Sequence, residues 1–346
     1  MSVTRKSFVR KTGRAACVGI TAAAILCAGA WGAGLLHFAG PGGPATRQAM
    51  AITAGVVALA SCWMFFVPGR RRHGLLVAGA LFVALLGWWS GIRPSNDREW
   101  APEVARLAHA TVDGDVVTVH NIRNFDYRSE TVFDARYYDR SFDLRKLESV
   151  DLVSVYWMGP AIAHLFVTFG FGDAYLAVSI EARRERTEGY STLGGFFRQY
   201  ELVYVVGDER DLIRLRTNYR KDPPEDVYLL RLQAPVENAR RFFLDYVAAI
   251  NALRDAPEFY NTLLTNCTTR ILLHARANPD APVYSWKALA SGYAPEYAYD
   301  EGRLDTSLPF SDLMRASHVN EAARAADTAP DFSRRIRHGL PGMAAR

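Results

Sequence analysis

Cysteine is scarce in this chain of 346 residues: there are four, at positions 17, 27, 62 and 267. The first three fall inside long apolar runs, where a small soft side chain needs no further role. Cys267 therefore stands without a disulfide partner, and a disulfide framework is excluded. Metal-type His/Cys spacings are missing as well, so no metal site is expected. Neither a Gly-rich phosphate loop nor an internal repeat occurs, and no cofactor is expected. Nor does the charge point to nucleic acid, although the formal net charge is +5. Much of the surplus lies in Arg5, Lys6, Arg10, Lys11 and Arg14 and in Arg70–Arg72, beside apolar runs. Basic clusters in that position read as membrane topology signals. Nucleic acid is not an expected partner.

What the chain does have is apolar length. Residues 15–38, 50–67 and 74–92 are each close to the ~20 residues that cross a bilayer core as a helix. Trp31, Trp88 and Trp89 lie towards the ends of these runs, as interfacial aromatics do. Gly40-Pro41-Gly42-Gly43-Pro44 separates the first two spans, and Pro68-Gly69-Arg70-Arg71-Arg72-His73 the second and third. The positive-inside rule puts the N-terminus and the Arg70–Arg72 loop in the cytoplasm. Ala28-Gly29-Ala30 resembles a signal-peptide cleavage site, but the apolar run continues to Leu36, which favours an uncleaved anchor. Either choice leaves residues 98 onward outside. The expected location is a bacterial inner membrane, multi-pass, with a periplasmic C-terminal part and the bilayer itself as partner. Residues 1–97 are expected to be the membrane anchor, 98–325 the extracytoplasmic thiol domain and 326–346 a disordered tail. Oligomeric state is not legible.

Along the exported part, 98–113 reads as an amphipathic helix and 116–120 as a strand after Asp113-Gly114. Residues 121–143 have no clear period and read as irregular. Strands follow at 150–157, 161–170 and 175–183, the last two joined by Gly172-Asp173 as a hairpin. A second hairpin is expected from 201–206 and 211–216, then a strand at 226–232. Residues 236–253 carry apolar side chains at helical spacing behind Pro235. Tyr284–Tyr293 reads as a short helix, and 294–313 as irregular. Strands giving way to helices argue for α+β with an antiparallel sheet.

The chemistry centres on Asn266-Cys267-Thr268-Thr269. Asn and Thr are helix-cap residues, and a cysteine in a first helical turn meets unpaired N–H groups that lower thiol pKa. The alternative is a small buried apolar residue. In the 172–173 hairpin, cross-strand position numbers sum to 345, which sets His164 opposite Glu181. That supplies an imidazole and a carboxylate to orient it, in the order His164, Glu181, Cys267, the circular permutation of papain's. His164 could equally be a core histidine, and Glu181 a surface partner of Arg183 or Arg184. Asn266, Thr268 and Tyr200 are candidates for the oxyanion or substrate side, with the Cys267 N–H the better donor.

Four blocks carry a family resemblance: His164-Leu165-Phe166-Val167-Thr168-Phe169-Gly170-Phe171, Ser179-Ile180-Glu181-Ala182-Arg183, Gln199-Tyr200-Glu201-Leu202-Val203-Tyr204-Val205-Val206 and Asn266-Cys267-Thr268-Thr269. In that order they resemble the Lnb N-terminal periplasmic domain family, over roughly residues 115–285. The resemblance implies a permuted papain-like fold of the NlpC kind, here behind three transmembrane helices. It further implies a Cys/His pair at Cys267 and His164, and acyl transfer within a bacterial lipoprotein. The expected function is a membrane-anchored cysteine acyltransferase or hydrolase working through an acyl-enzyme on lipid or lipoprotein. A cell-wall amidase or cysteine peptidase on peptide substrates, and a non-catalytic binding module, remain open beside it.

Overall fold

The computed structural model describes residues 2–283 and 285–343. Packing divides the chain into two compact units: the residues up to Pro94 together with Ser191–Gln199, and Ser95–Tyr190 together with the chain from Tyr200.

The first unit contains α1 (Ser2–Ala39), α2 (Pro44–Phe66) and α3 (Arg71–Gly91). Their apolar stretches of 28, 23 and 21 residues are about 42, 34 and 31 Å long at 1.5 Å per residue, enough for a hydrocarbon core of about 30 Å. Pro44 opens α2 at its first helical position, where the missing N–H costs nothing. Glycines bring the helices close: a Cβ on Gly29 would lie 2.2 Å from the Ala58 Cβ, and one on Gly32 2.5 Å from Leu85. Small residues at such crossings are how helices pack in lipid.

The second unit is α+β. Its strands are β1 (His109–Asp113), β2 (Val116–Arg123), β3 (Asp126–Tyr127), β4 (Phe133–Asp134), β5 (Tyr137–Asp143), β6 (Leu147–Tyr156), β7 (Ala163–Phe171), β8 (Ala174–Arg183), β9 (Glu201–Gly207) and β10 (Asp226–Arg231). Between β9 and β10 lies α4 (Glu209–Arg214). After β10 come α5 (Val236–Asp255), α6 (Cys267–Ala275), α7 (Trp286–Leu289), α8 (Ala294–Asp300), α9 (Phe310–Ala316), α10 (Asn320–Ala325) and α11 (Phe332–Arg335). The main sheet runs β1-β2-β9-β8-β7-β6-β10, with β5 also on β2. Its ladders are antiparallel except where β2 touches β9.

β7 lies between β6 and β8 with both faces covered, which is why its sequence is nearly continuous apolar. Leu165, Val167, Phe169 and Phe171 face one core layer, which includes Phe242, Phe243, Tyr246 and Ile250 of α5 and Cys267 of α6. Phe166 faces the other, with residues of α4, α10 and α11. Gly172 takes φ +67° in the β7–β8 turn, a conformation that a side chain would strain. The register is the expected one, with Phe171 opposite Ala174 and Phe166 opposite Ser179. There the ladder ends. Ile180–Arg183 pair only with β9, so β7 and β8 part at His164 and Leu165.

Five expectations need correction. Residues 211–216 are helical and continue into a π-helical turn at Leu215–Tyr219. Asp208 caps this helix by accepting from the Arg210 N–H, and Glu209 and Asp211 favour its positive end, so local capping outweighs the apparent alternation. Residues 98–113 hold one 3-10 turn at Pro102–Val104 and then β1, and Asp113-Gly114 closes the β1–β2 hairpin. Residues 121–143 contribute β3, β4 and β5, and 294–313 contain α8 and the start of α9. The segment 326–346, expected to be disordered, is ordered to Met343, with Phe332 and Ile336 fully buried. Arg337 pairs there with Asp151 and Glu209 at 2.8 and 2.6 Å. Residues 344–346 lie outside the described residues.

Candidate functional site

The start of α6 is fixed by a capping box. Asn266 Oδ1 accepts from the Thr269 N–H at 2.9 Å, and Thr269 Oγ1 accepts from the Asn266 N–H at 3.0 Å. Asn266 Nδ2 donates to the Thr262 carbonyl at 2.8 Å. Both ends of that side chain take part in holding the turn, which gives Asn266 a capping role. Cys267 takes the first helical position, where the backbone N–H has no acceptor within the helix.

The thiol is buried, with Thr268 Oγ1 3.9 Å from Sγ. Burial pushes its pKa up. Backbone hydrogen bonding at Leu165 and the hydroxyl and backbone of Thr268 pull the other way without cancelling it, and the Glu181 charge adds to the rise. The lowered pKa expected from the helix start is thus overturned by desolvation, which penalises the thiolate more than the helix end favours it. At rest Cys267 is a thiol.

On β7, His164 Nε2 lies 2.7 Å from Ser179 Oγ, and that hydroxyl donates to Glu181 Oε1 at 2.7 Å. His164 and Glu181 themselves are 3.7 Å apart. A serine hydroxyl has one proton, and here the carboxylate takes it. Nε2 must therefore carry hydrogen and donate to Ser179, which leaves the lone pair on Nδ1. Burial, then the Arg216 cation, push the His164 pKa down to about 3. For Glu181 burial acts upward, but Arg216, His164, Arg123 and the Ser179 hydroxyl together bring it down to about 2. The resting pair is a neutral imidazole and a carboxylate.

Arg216 comes from the π-helical turn after α4. Its Nη2 reaches Glu181 Oε1 at 3.1 Å, its guanidinium lies 5.6 Å from the centre of the Phe166 ring, and Glu225 sits 3.6 Å beyond. Single-turn π segments recur at functional positions in helices.

Strand alternation puts His164, Ser179 and Glu181 on the Phe166 face of the sheet, while Cys267 belongs to the opposite core layer with Leu165. The two halves meet at the open end of the β7–β8 ladder, where the thiol interacts with the backbone of Leu165, next in the chain to His164. Among the described residues no hydrogen bond joins the thiol to the imidazole. Tyr200 is fully buried, and its hydroxyl donates to the Gly189 carbonyl at 2.8 Å. Its proton is engaged by that loop. Thr268 is buried against the thiol.

Ser179 and Arg216 were not foreseen. Alternation would have found Ser179, two residues from Glu181 and therefore on the same face. Arg216 was hidden by the strand expected in its place. A second histidine, His274 of α6, is also engaged: Tyr204 OH lies 2.6 Å from Nε2 and Asp245 2.7 Å from Nδ1.

Beside the thiol an apolar cavity of about 150 Å³ opens between the sheet, α5, α6 and α8, lined among others by Leu152, Leu165, Phe242, Thr268, Ile271 and Ala298. Its mostly apolar walls suit an apolar group.

Helices of bilayer length and an α+β domain with a mostly antiparallel sheet define the class: a membrane protein with a globular domain outside the bilayer. Residues 133–292 match the family model of the Lnb N-terminal periplasmic domain, the family that the four sequence blocks resemble. The match spans His164, Glu181, Tyr200, Asn266, Cys267 and Thr268, and the globular part is a periplasmic domain. No curated protein and no solved structure matches the chain.

Proposed function

We propose that this protein is a membrane-anchored thiol acyltransferase or hydrolase built on a permuted papain-like domain. Three spans anchor it with the N-terminus in the cytoplasm, as the basic residues at 5–14 and 70–72 favour. The observation that carries the reading is the junction at Leu165. A thiol rests against its backbone, and the neighbouring histidine has one nitrogen locked by Ser179 and Glu181. Nδ1 of His164 accepts the thiol proton as Sγ attacks an ester or amide carbonyl. Backbone N–H groups at the start of α6 receive the developing oxyanion. The imidazolium returns the proton to the leaving alcohol or amine, and the thioester remains on Cys267. An amine or a water then gives a proton to Nδ1 and attacks that thioester, and the imidazolium returns the proton to Cys267 Sγ as the S–C bond breaks. Because thiol and imidazole both rest neutral, the histidine works as a true general base and not within a preformed ion pair.

The cavity beside Thr268 favours an acyl group over a cell-wall peptide, since its lining residues are largely apolar. Full-length protein in membranes containing an alkyne-tagged diacyl phospholipid tests the proposal. Expected is a hydroxylamine-labile tag on the Cys267 peptide by mass spectrometry. It should be absent in Cys267→Ala and formed about 10²-fold or more slower in His164→Ala. A tag that forms equally well without His164 would sink the mechanism. Cell-wall fragments released by the native protein, with no tag formed, would transfer the thiol chemistry to the amidase reading.

A further inference from the structure

The connection from β8 to β9 does not stay with its own sheet. Ser191–Gln199 packs within the helical unit. Phe197 stacks on Phe38 at the end of α1, with ring centres 5.5 Å apart and planes 14° apart. It fits against Gly34, where a Cβ would come within 2.5 Å of the ring. Arg198 lays its guanidinium 4.0 Å over Trp89 and donates to the carbonyls of Trp89 and Ile92 at 2.8 and 3.3 Å. Both carbonyls lie where α3 ends, Trp89's also accepting from the Ile92 N–H, and a cation is favoured there. Gly194 and Gly195 are buried, whereas Leu193 and Phe196 are 61% and 41% exposed.

We propose that residues 191–199 are a re-entrant lipid-contact segment. Leu193 and Phe196 enter the hydrocarbon edge of the leaflet in which α1 and α3 end. Three observations converge on lipid as the occupant. The segment is held at the level of Phe38 and Trp89 by helices of bilayer length, and tryptophan at a span end marks the interface. It carries no acidic residue, and its one cation is turned inward onto helix carbonyls. Nine residues are too few to cross, so the chain enters and leaves on one face. Irregular backbone is tolerated at that depth where protein covers it, and the two buried glycines lie at such a place. The strand that carries Ser179 and Glu181 therefore runs on into a membrane-held loop. This assignment does not depend on the thiol chemistry.

The test uses full-length protein in nanodiscs, with the four native cysteines replaced by alanine. Spin labels are placed singly at Leu193→Cys and Phe196→Cys, positions whose exposure leaves the packing of Phe197 and Arg198 undisturbed. Val283→Cys, 79% exposed in the other unit, is the aqueous reference. Collision rates are read with oxygen, which concentrates in hydrocarbon, and with a polar nickel chelate, which does not. Oxygen should dominate at 193 and 196 and nickel at 283. Nickel dominating at either 193 or 196 overturns the proposal, whatever the outcome at Cys267.

Discussion

At the scale of single residues, charge and solvation set the chemistry. Ser179 transmits the Glu181 charge to His164, so its removal frees the imidazole to rotate or change tautomer. Ser179→Ala is expected to slow thioester formation by about 10–100-fold, the usual cost of losing such an orienting partner. Ser179→Thr should restore most of the rate, measured as tag formation on Cys267 against time. Glu201 presents the opposite electrostatics. It is almost fully buried, accepts from the Ser95 N–H at 3.1 Å and pairs with Arg98 at 2.8 Å. Burial outweighs that cation and holds its pKa up at about 7, against an unfolded value of 4.5. A carboxyl raised on folding is harmless below pH 4.5 and costs stability as pH rises through 7. Glu201→Gln should therefore gain melting temperature relative to the native protein between pH 5 and pH 8, and a constant difference across that range would refute the assignment.

At the scale of elements, the placement of Cys267 depends on a cap. Asn266→Ala removes the acceptor for the Thr269 N–H and the donor to Thr262, and should cost about 1–2 kcal/mol in denaturant titration. Activity should fall further than stability, because the thiol rides on the first turn. This cap was readable from the sequence, since Asn and Thr at those positions have few other uses before an apolar run. So was the β7–β8 register, because Gly172-Asp173 permits only a tight turn and the apolar pattern forbids a slip. α4 was not readable. Residues 211–216 alternate as a strand does, and the evidence for a helix lies in Asp208 and in the burial of Asp211 against Arg123 at 2.7 Å, a partner 88 residues away. With α4 misread, Arg216 could not be placed beside Glu181.

At the scale of the whole chain, the last ordered segment closes the fold. Arg337 lies between Asp151 of β6 and Glu209 of α4, and Thr168 donates to Glu209 from β7 at 2.6 Å. Nothing in residues 326–346 signals this, because one arginine among four there gains meaning only from distant carboxylates. Arg337→Met would leave buried Glu209 without its cation and Asp151 with Arg231 alone, at an expected cost of about 3–5 kcal/mol. Thermal unfolding in detergent should show the loss, and the double change with Asp151→Asn should recover part of it.

That closure also sets a clock. Residues of the exported domain leave the cytoplasm in order, and β6 and α4 arrive long before Arg337 does. Until it arrives Glu209 lies buried without its cation, and Asp151 has Arg231 alone. The sheet is thus closed only once Arg337 has joined Asp151 and Glu209.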